Sequence, residues 1–205
     1  MKILLRAFTL VLILCLAGLG ALVYHRSAPP EAPSAASRKM VTPGGGEFSL
    51  LTPKLPAPEL TFTTQQGYPA HLADFRGHVV LVNLWATRCG PCVEEMPSLD
   101  RMQAQLGQDL TVLAISEDRN GESVVAPFLA KLGVGHLAVY LDSSNAALNA
   151  FGVTGLPTSF LISRDGTVLA KIEGATEWDD PAMIATLRSY LPPPAPAMEK
   201  TELTR

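Results

Sequence analysis

The stretch Val79-Val80-Leu81-Val82-Asn83-Leu84-Trp85-Ala86-Thr87-Arg88-Cys89-Gly90-Pro91-Cys92-Val93-Glu94-Glu95-Met96-Pro97 decides the fold. Its first six residues form an apolar, β-branched run that suits a central strand buried on both faces. Beyond Cys92, the apolar residues Met96, Leu99, Met102 and Leu106 recur at helical spacing, with Pro97 a candidate kink. Between strand and helix lies Cys89-Gly90-Pro91-Cys92. A C-x-x-C at a helix start brings two sulfurs close enough to close a small, exchangeable disulfide ring. The unpaired N–H groups of the first helical turn stabilise a thiolate on Cys89. Gly90 permits the tight turn, and Pro91 suits a first turn because it has no N–H to leave unsatisfied.

The pair has three blander readings: half of a zinc site, a structural disulfide, or chance spacing. Zinc needs two more ligands, and the sequence offers no second C-x-x-C and only the isolated histidines His71, His78 and His136. A loop this short gains little entropy from closure, and its place between strand and helix favours exchange. The third cysteine, Cys15, lies in an apolar run and reads as filler.

Working outward, residues 60–62 and 71–72 flank Gln66-Gly67 and predict a hairpin before the central strand. After the first helix, residues 110–115 predict a strand, 123–132 a helix, 138–141 a short strand and 146–151 a helical turn. Residues 159–162 and 167–172 predict two strands joined by Arg164-Asp165-Gly166. Residues 180–191 predict a closing helix, capped by Asp179 or Asp180 and with Pro181 in its first turn. Strands alternating with helices and ending in a hairpin indicate a mixed α/β sheet covered on both faces.

The ends differ from this middle. Seven of the 17 prolines fall within residues 29–58 and four within 192–196, out of 205 residues. Residues 26–54, with Gly44-Gly45-Gly46 among them, therefore read as a flexible tether, and 192–205 as a similar tail. The folded domain is placed at 55–191. Lys2 and Arg6, within a cytoplasmic stretch 1–6, precede an uncharged run over 7–24. Eighteen residues at about 1.5 Å each give roughly 27 Å, enough to cross a bilayer core. The expectation is an uncleaved transmembrane anchor over 7–25, with a cleaved signal peptide as the alternative. The positive front flank favours export of the rest. The net charge of −3 argues against a nucleic-acid binder.

These motifs together resemble the thioredoxin-fold superfamily, and within it the membrane-tethered TlpA/ResA/CcmG-like thiol–disulfide oxidoreductases. The resemblance rests on residues 80–87, on Cys89-Gly90-Pro91-Cys92 and on Glu95-Met96-Pro97. It continues through residues 153–162 and Asp165-Gly166. It implies a thioredoxin-like fold with an N-terminal β-hairpin and an inserted segment around 117–145, preceded by one transmembrane helix. It implies Cys89 as the attacking and Cys92 as the resolving cysteine of a redox disulfide, and Pro157 as a cis-proline facing them. With Leu156, Pro157 would receive the substrate backbone. Glu95 matches an active-site glutamate of the ResA-like branch, whereas Asn83 stands where thioredoxin has a buried acid and cannot take a proton from Cys92. Trp85 is expected to cover the site, although a core role explains it almost as well. Arg88 departs from the family, which has an aromatic residue there. A guanidinium at this position either stabilises the Cys89 thiolate or docks an acidic partner.

The resemblance also implies no cofactor and no metal. The partners expected are cysteine-containing envelope proteins and an upstream thiol electron donor. The place expected is the bacterial cytoplasmic membrane, single-pass, with the domain in the periplasm or otherwise outside the cytoplasm. The leading function is disulfide reduction, as in cytochrome c maturation or oxidase copper-site assembly. Its rivals are a Cu(I) metallochaperone and a disulfide oxidase or isomerase. A cytosolic thioredoxin is argued against by the apolar N-terminus, and a peroxidase by the lack of a Pro-x-x-x-Thr-x-x-Cys arrangement at Cys89.

Overall fold

The computed structural model describes residues 39–193. In chain order these form β1 (Lys39–Val41), β2 (Glu47–Pro56), β3 (Thr61–Thr64), β4 (Pro69–His71), a 3₁₀ turn (Leu72–Phe75), β5 (Val79–Trp85) and α1 (Gly90–Leu106). There follow β6 (Leu110–Ser116), α2 (Glu122–Leu132), β7 (Ala138–Leu141), α3 (Ala146–Phe151), β8 (Thr158–Ile162), β9 (Thr167–Glu173) and α4 (Pro181–Arg188). The strands make one sheet in the order β1-β2-β9-β8-β5-β6-β7-β3-β4.

β5 lies inside the sheet, parallel to β6 and antiparallel to β8, and all of its residues are buried. Its alternation sorts side chains between two cores. Val79, Leu81 and Trp85 pack with Met96, Leu99, Met102 and Leu106 of α1, and α2 and α4 bury Val125 and Leu187 in the same core. Val80, Val82 and Leu84 join Phe160, Ile162 and Ala147 on the opposite face. Burial on both faces is what an unbroken apolar run requires. The odd-numbered side chains of β5 face α1, and this places Asn83 beneath the helix that starts at the cysteines.

The hairpin predicted around Gln66-Gly67 is β3–β4, closed by Thr64 and Tyr68 with Gly67 at φ +83°. The segment expected as an insertion contributes α2 and β7, and β7 pairs in parallel with β6. α1 runs through Pro97 without a break. α4 is capped by Asp180, whose side chain accepts from the Ala182 N–H at 2.8 Å. The helix stops at Arg188, short of the predicted 191, because Pro192-Pro193 cannot continue it.

One boundary is corrected. The tether read over 26–54 does not hold from residue 39 on, because 39–41 and 47–56 are strands. The alternating pair Phe48 and Leu50 packs against the α1-side core, and β2 pairs with β9 through Phe48↔Ile172 and Leu50↔Ala170. The glycines that suggested flexibility form the β1–β2 turn, in which Thr42 N–H donates to Gly46 O at 2.7 Å. Segments 1–6 and 7–25, the start of the tether and the tail past 193 lie outside the described residues. Among the described residues, no helix is long and apolar enough to cross a membrane.

Candidate active site

β5 delivers the chain to the head of α1, and Cys89 occupies the N-cap position with extended φ and ψ of −91° and 102°. Its Sγ accepts the Cys92 N–H at 3.3 Å, so the first turn of the helix points donors at this sulfur. Cys89 and Cys92 are joined by a disulfide with Cα atoms 5.3 Å apart. Cys89 is half-buried, while Cys92 is fully buried in the core with Met96 and Leu99. Only one sulfur is open to a partner.

The loop before Cys89 is held by Asp118, just past the end of β6. The Thr87 N–H donates to Asp118 Oδ2 at 2.8 Å, the Thr87 hydroxyl to Oδ1 at 2.8 Å and the Ser116 hydroxyl to Oδ2 at 2.9 Å. Arg88 Nη1 reaches Asp118 Oδ1 at 3.4 Å, with its side chain 63% exposed. Opposite lies the Leu156–Pro157 peptide, which is cis. Pro157 is buried, and its carbonyl accepts the Gly174 N–H at 3.0 Å. A groove of about 400 Å³ runs beside Cys89, walled by Ala86, Leu148, Val153 and Leu156 and rimmed by Arg88. The fold thus brings Cys89, Arg88 and Leu156 to one groove.

Trp85 is not there, which corrects the expectation that it covers the site. Its side chain is fully buried and packs on Phe128 with ring centroids 5.9 Å apart. As an odd-numbered residue of β5 it points under α1, where it supports the floor of the site and cannot touch a docked protein.

Glu95 lies one helical turn beyond Cys92 and is 2% exposed. Residues three apart on a helix are surface neighbours. Asn83 Nδ2 donates to Glu95 Oε1 at 2.8 Å; the Thr176 N–H and Trp178 Nε1 donate to Oε2 at 3.0 and 3.1 Å. Burial raises the Glu95 pKa to about 7, while the Asn83, Thr176 and Trp178 donors pull it down and Glu177 adds a small upward push. A carboxyl that titrates near neutrality can take or give a proton at working pH.

The donors Thr176 and Trp178 escaped the sequence reading. They lie about 80 positions from Glu95 in the β9–α4 loop, and no local periodicity links them to α1. The loop is seated by Ser98, whose hydroxyl accepts the Trp178 N–H at 3.2 Å, and by Thr42, whose Oγ1 lies 3.0 Å from Thr176 Oγ1. His136 is engaged elsewhere, its Nδ1 2.9 Å from Asp100 Oδ2. His71 Nδ1 lies 2.9 Å from Thr61 Oγ1 in the β3–β4 hairpin.

The Redoxin family model matches residues 53–187. A thiol-disulfide oxidoreductase, ResA, of Bacillus thuringiensis subsp. konkukian is 32% identical over 119 residues, spanning 58% of this chain and 68% of the relative. ResA of Geobacillus kaustophilus is 33% identical over 125 residues, 60% of this chain and 71% of that one. Among solved structures, a putative thiol:disulfide interchange protein DsbE from Chlorobium tepidum superposes with a TM-score of 0.57 at 31% identity. That superposition covers 67% of this chain and 93% of the other. The family match spans the cysteine pair, the cis-proline loop and the strands from β3 to β9, so the likeness reaches the chemistry: the chain belongs to the Redoxin family and is a ResA-like thiol–disulfide oxidoreductase of thioredoxin-like fold.

Proposed function

We propose that the chain is a reductase, tethered to the bacterial cytoplasmic membrane through residues 7–25, that acts on cysteine-containing envelope proteins outside the cytoplasm. Maturation of c-type cytochromes is the leading setting, supported by the likeness to ResA and DsbE-type proteins. The observation that carries the reading is the asymmetry of the pair: Cys89 open at the helix start, Cys92 buried with Glu95 one turn beyond it.

In the reduced state, the Cys89 thiolate attacks one sulfur of a partner disulfide. The partner S–S bond breaks, a partner thiolate leaves, and a mixed disulfide to Cys89 forms. Glu95, as carboxylate, accepts the Cys92 proton. The Cys92 thiolate then attacks Cys89 Sγ, the mixed disulfide breaks, and the second partner thiolate leaves and is protonated. Two electrons pass to the partner, and the chain is left as the Cys89–Cys92 disulfide. An upstream dithiol donor must reduce that disulfide. Leu156 lines the groove where the partner backbone would lie, with the cis peptide to Pro157 directly after it, and Arg88 stands at its rim.

Thiol trapping in intact cells tests the direction: a mostly reduced pair is expected, and a mostly oxidised pair assigns an oxidase or isomerase role instead. Cys92→Ser should accumulate partners as mixed disulfides through Cys89. Trapping by Cys89→Ser and not by Cys92→Ser reverses the assignment.

A further inference from the structure

Two clefts meet at Arg88. The first is the groove beside Cys89, with Leu148, Val153 and Leu156 as apolar walls. The second, about 520 Å³, is lined by Thr87, Arg88, Asp118, Arg119, Asn120 and Val124. Its charges do not balance. Asp118 is 5% exposed, and its two oxygens already accept from Thr87, Ser116 and Arg88. Arg88 is bound to it only at 3.4 Å and keeps most of its guanidinium in solvent. Arg119 is exposed and has no ion pair or hydrogen bond among the described residues. The neighbouring Glu117 is buried and bonded to Asn145; it is within Coulombic reach of Arg88 but lines neither cleft. Apart from Asp118, no carboxylate lines either cleft among the described residues. A chain of net charge −3 therefore presents two clefts that share Arg88, a mostly apolar one at its attacking sulfur and a cationic one beyond Arg88.

We propose that these two clefts select the partner segment. A protein is favoured when the cysteine to be reduced has an apolar side chain on one side, seated between Leu148, Val153 and Leu156, and an aspartate or glutamate on the other, facing Arg88 and Arg119. The inference rests on the exchange reading above and adds to it the chemistry of the substrate. Charges at the rim of an interface act mainly on encounter and orientation, and exposed ion pairs are individually weak. The selection is therefore a bias in rate, set up before the sulfurs meet.

The test uses the pre-reduced full chain and three disulfide-closed peptides that share a leucine on one side of the target cysteine. They carry glutamate, glutamine or lysine on the other side. At low salt the glutamate peptide is expected to be reduced about threefold to tenfold faster than the lysine peptide, with glutamine between. The gap should close in about 0.5 M salt, where exposed charges are screened. Arg119→Glu, an exposed change outside both cores, should invert the order of the glutamate and lysine peptides. Equal rates on all three peptides with the wild-type chain overturn the selection and leave the exchange reading intact. An order that survives Arg119→Glu unchanged also overturns it. Failure to reduce any peptide, the neutral one included, overturns the exchange reading and this inference with it.

Discussion

Glu95 and Glu117 are both buried, and in both the loss of water raises the carboxyl pKa to about 7. Their surroundings differ. Three donors from two separate segments, β5 and the β9–α4 loop, converge on Glu95, and both of its oxygens are served. Glu117, just past the end of β6, receives one side-chain donor, Asn145 Nδ2 at 2.9 Å on Oε2, and its Oε1 has no partner among the described residues. After burial, Asn145 and Arg88 pull the Glu117 pKa down, whereas Asp142 and Asp118 push it up. A raised pKa therefore does not by itself mark a working acid or base. Glu95 is set on the helix of the cysteines with a network able to hold its charged form; Glu117 is buried among carboxylates with little to hold it.

The largest effect should come from Glu95→Gln, which keeps the shape and removes the carboxylate proposed as proton acceptor. Resolution of the mixed disulfide by Cys92, followed by stopped flow, should slow about 10²-fold and lose its rise in rate near pH 7. Glu117→Gln should leave that rate and its pH profile close to wild type, and so should the exposed Glu94→Gln on the same helix. If Glu117→Gln matches Glu95→Gln, the comparison fails and the raised pKa alone predicts the role.

Next in size is a stability effect common to the two. A carboxyl whose pKa rises on folding binds its proton more tightly in the native state. Each glutamate's contribution is thus most favourable at or below about pH 4.5 and is lost as pH climbs to about 7. The loss is on the order of 3 kcal/mol per group. Urea unfolding at pH 5 and pH 8 should show wild-type stability falling between them. Glu117→Gln should make that fall shallower by about 1–3 kcal/mol, and Glu95→Gln should do the same. An unchanged slope in Glu117→Gln would mean that its carboxyl is ionised at an ordinary pKa in the folded protein.

Trp178→Phe asks what the third donor contributes. The ring volume is largely kept, and the Nε1–H that serves Glu95 Oε2 is lost. A donor to the charged form lowers a pKa, so its removal should raise that of Glu95. The pH midpoint of the resolving step should move up by as much as about one unit. The rate should therefore fall at neutral pH and recover in mildly alkaline buffer. A residue that only packs would lower stability without moving the midpoint.

The parts legible in the sequence were those whose signal is local. The apolar run of β5 and the helix of Met96, Leu99, Met102 and Leu106 appear in the structure where the pattern put them, as do the Gln66-Gly67 and Asp165-Gly166 turns. The cysteine pair and Glu95 could be named because they share one short stretch. What surrounds Glu95 could not. Trp178 and Thr176 arrive from a loop more than 80 residues away, and no spacing rule joins them to α1. Of the two roles open to Trp85, strand alternation selects the core one, because it sends the side chain inward against Phe128. Residues 39–54 misled because proline and glycine content suggests a tether, although Gly44 and Gly46 are the residues that let β1 and β2 turn tightly against the β9–α4 loop.

That turn gives the smallest and most specific prediction. A Cβ at Gly46 would lie 2.8–2.9 Å from Thr42 Oγ1 and the carbonyls of Gly174 and Ala175, so the β1–β2 turn sits directly on the loop that serves Glu95. The contact is polar as well as close: the Glu177 N–H donates to Pro43 O at 2.8 Å, and Thr42 and Thr176 share a hydroxyl hydrogen bond. Thr42→Val keeps the branched shape and removes one hydroxyl, leaving Thr176 Oγ1 buried without that partner. A net hydrogen bond is worth about 0.5–1.5 kcal/mol, and stability should fall by that amount. The Thr176 N–H that reaches Glu95 belongs to the backbone of the same residue, so a loosened loop should lengthen that bond and raise the Glu95 pKa slightly. The resolving rate at neutral pH should drop by less than about twofold, with a small upward shift of its midpoint. Glu117 has no link to this turn, so Thr42→Val should leave unchanged the part of the pH-dependent stability that Glu117→Gln removes. If stability falls while the midpoint holds still, the turn braces the sheet alone, and the loop keeps Glu95 in place without it.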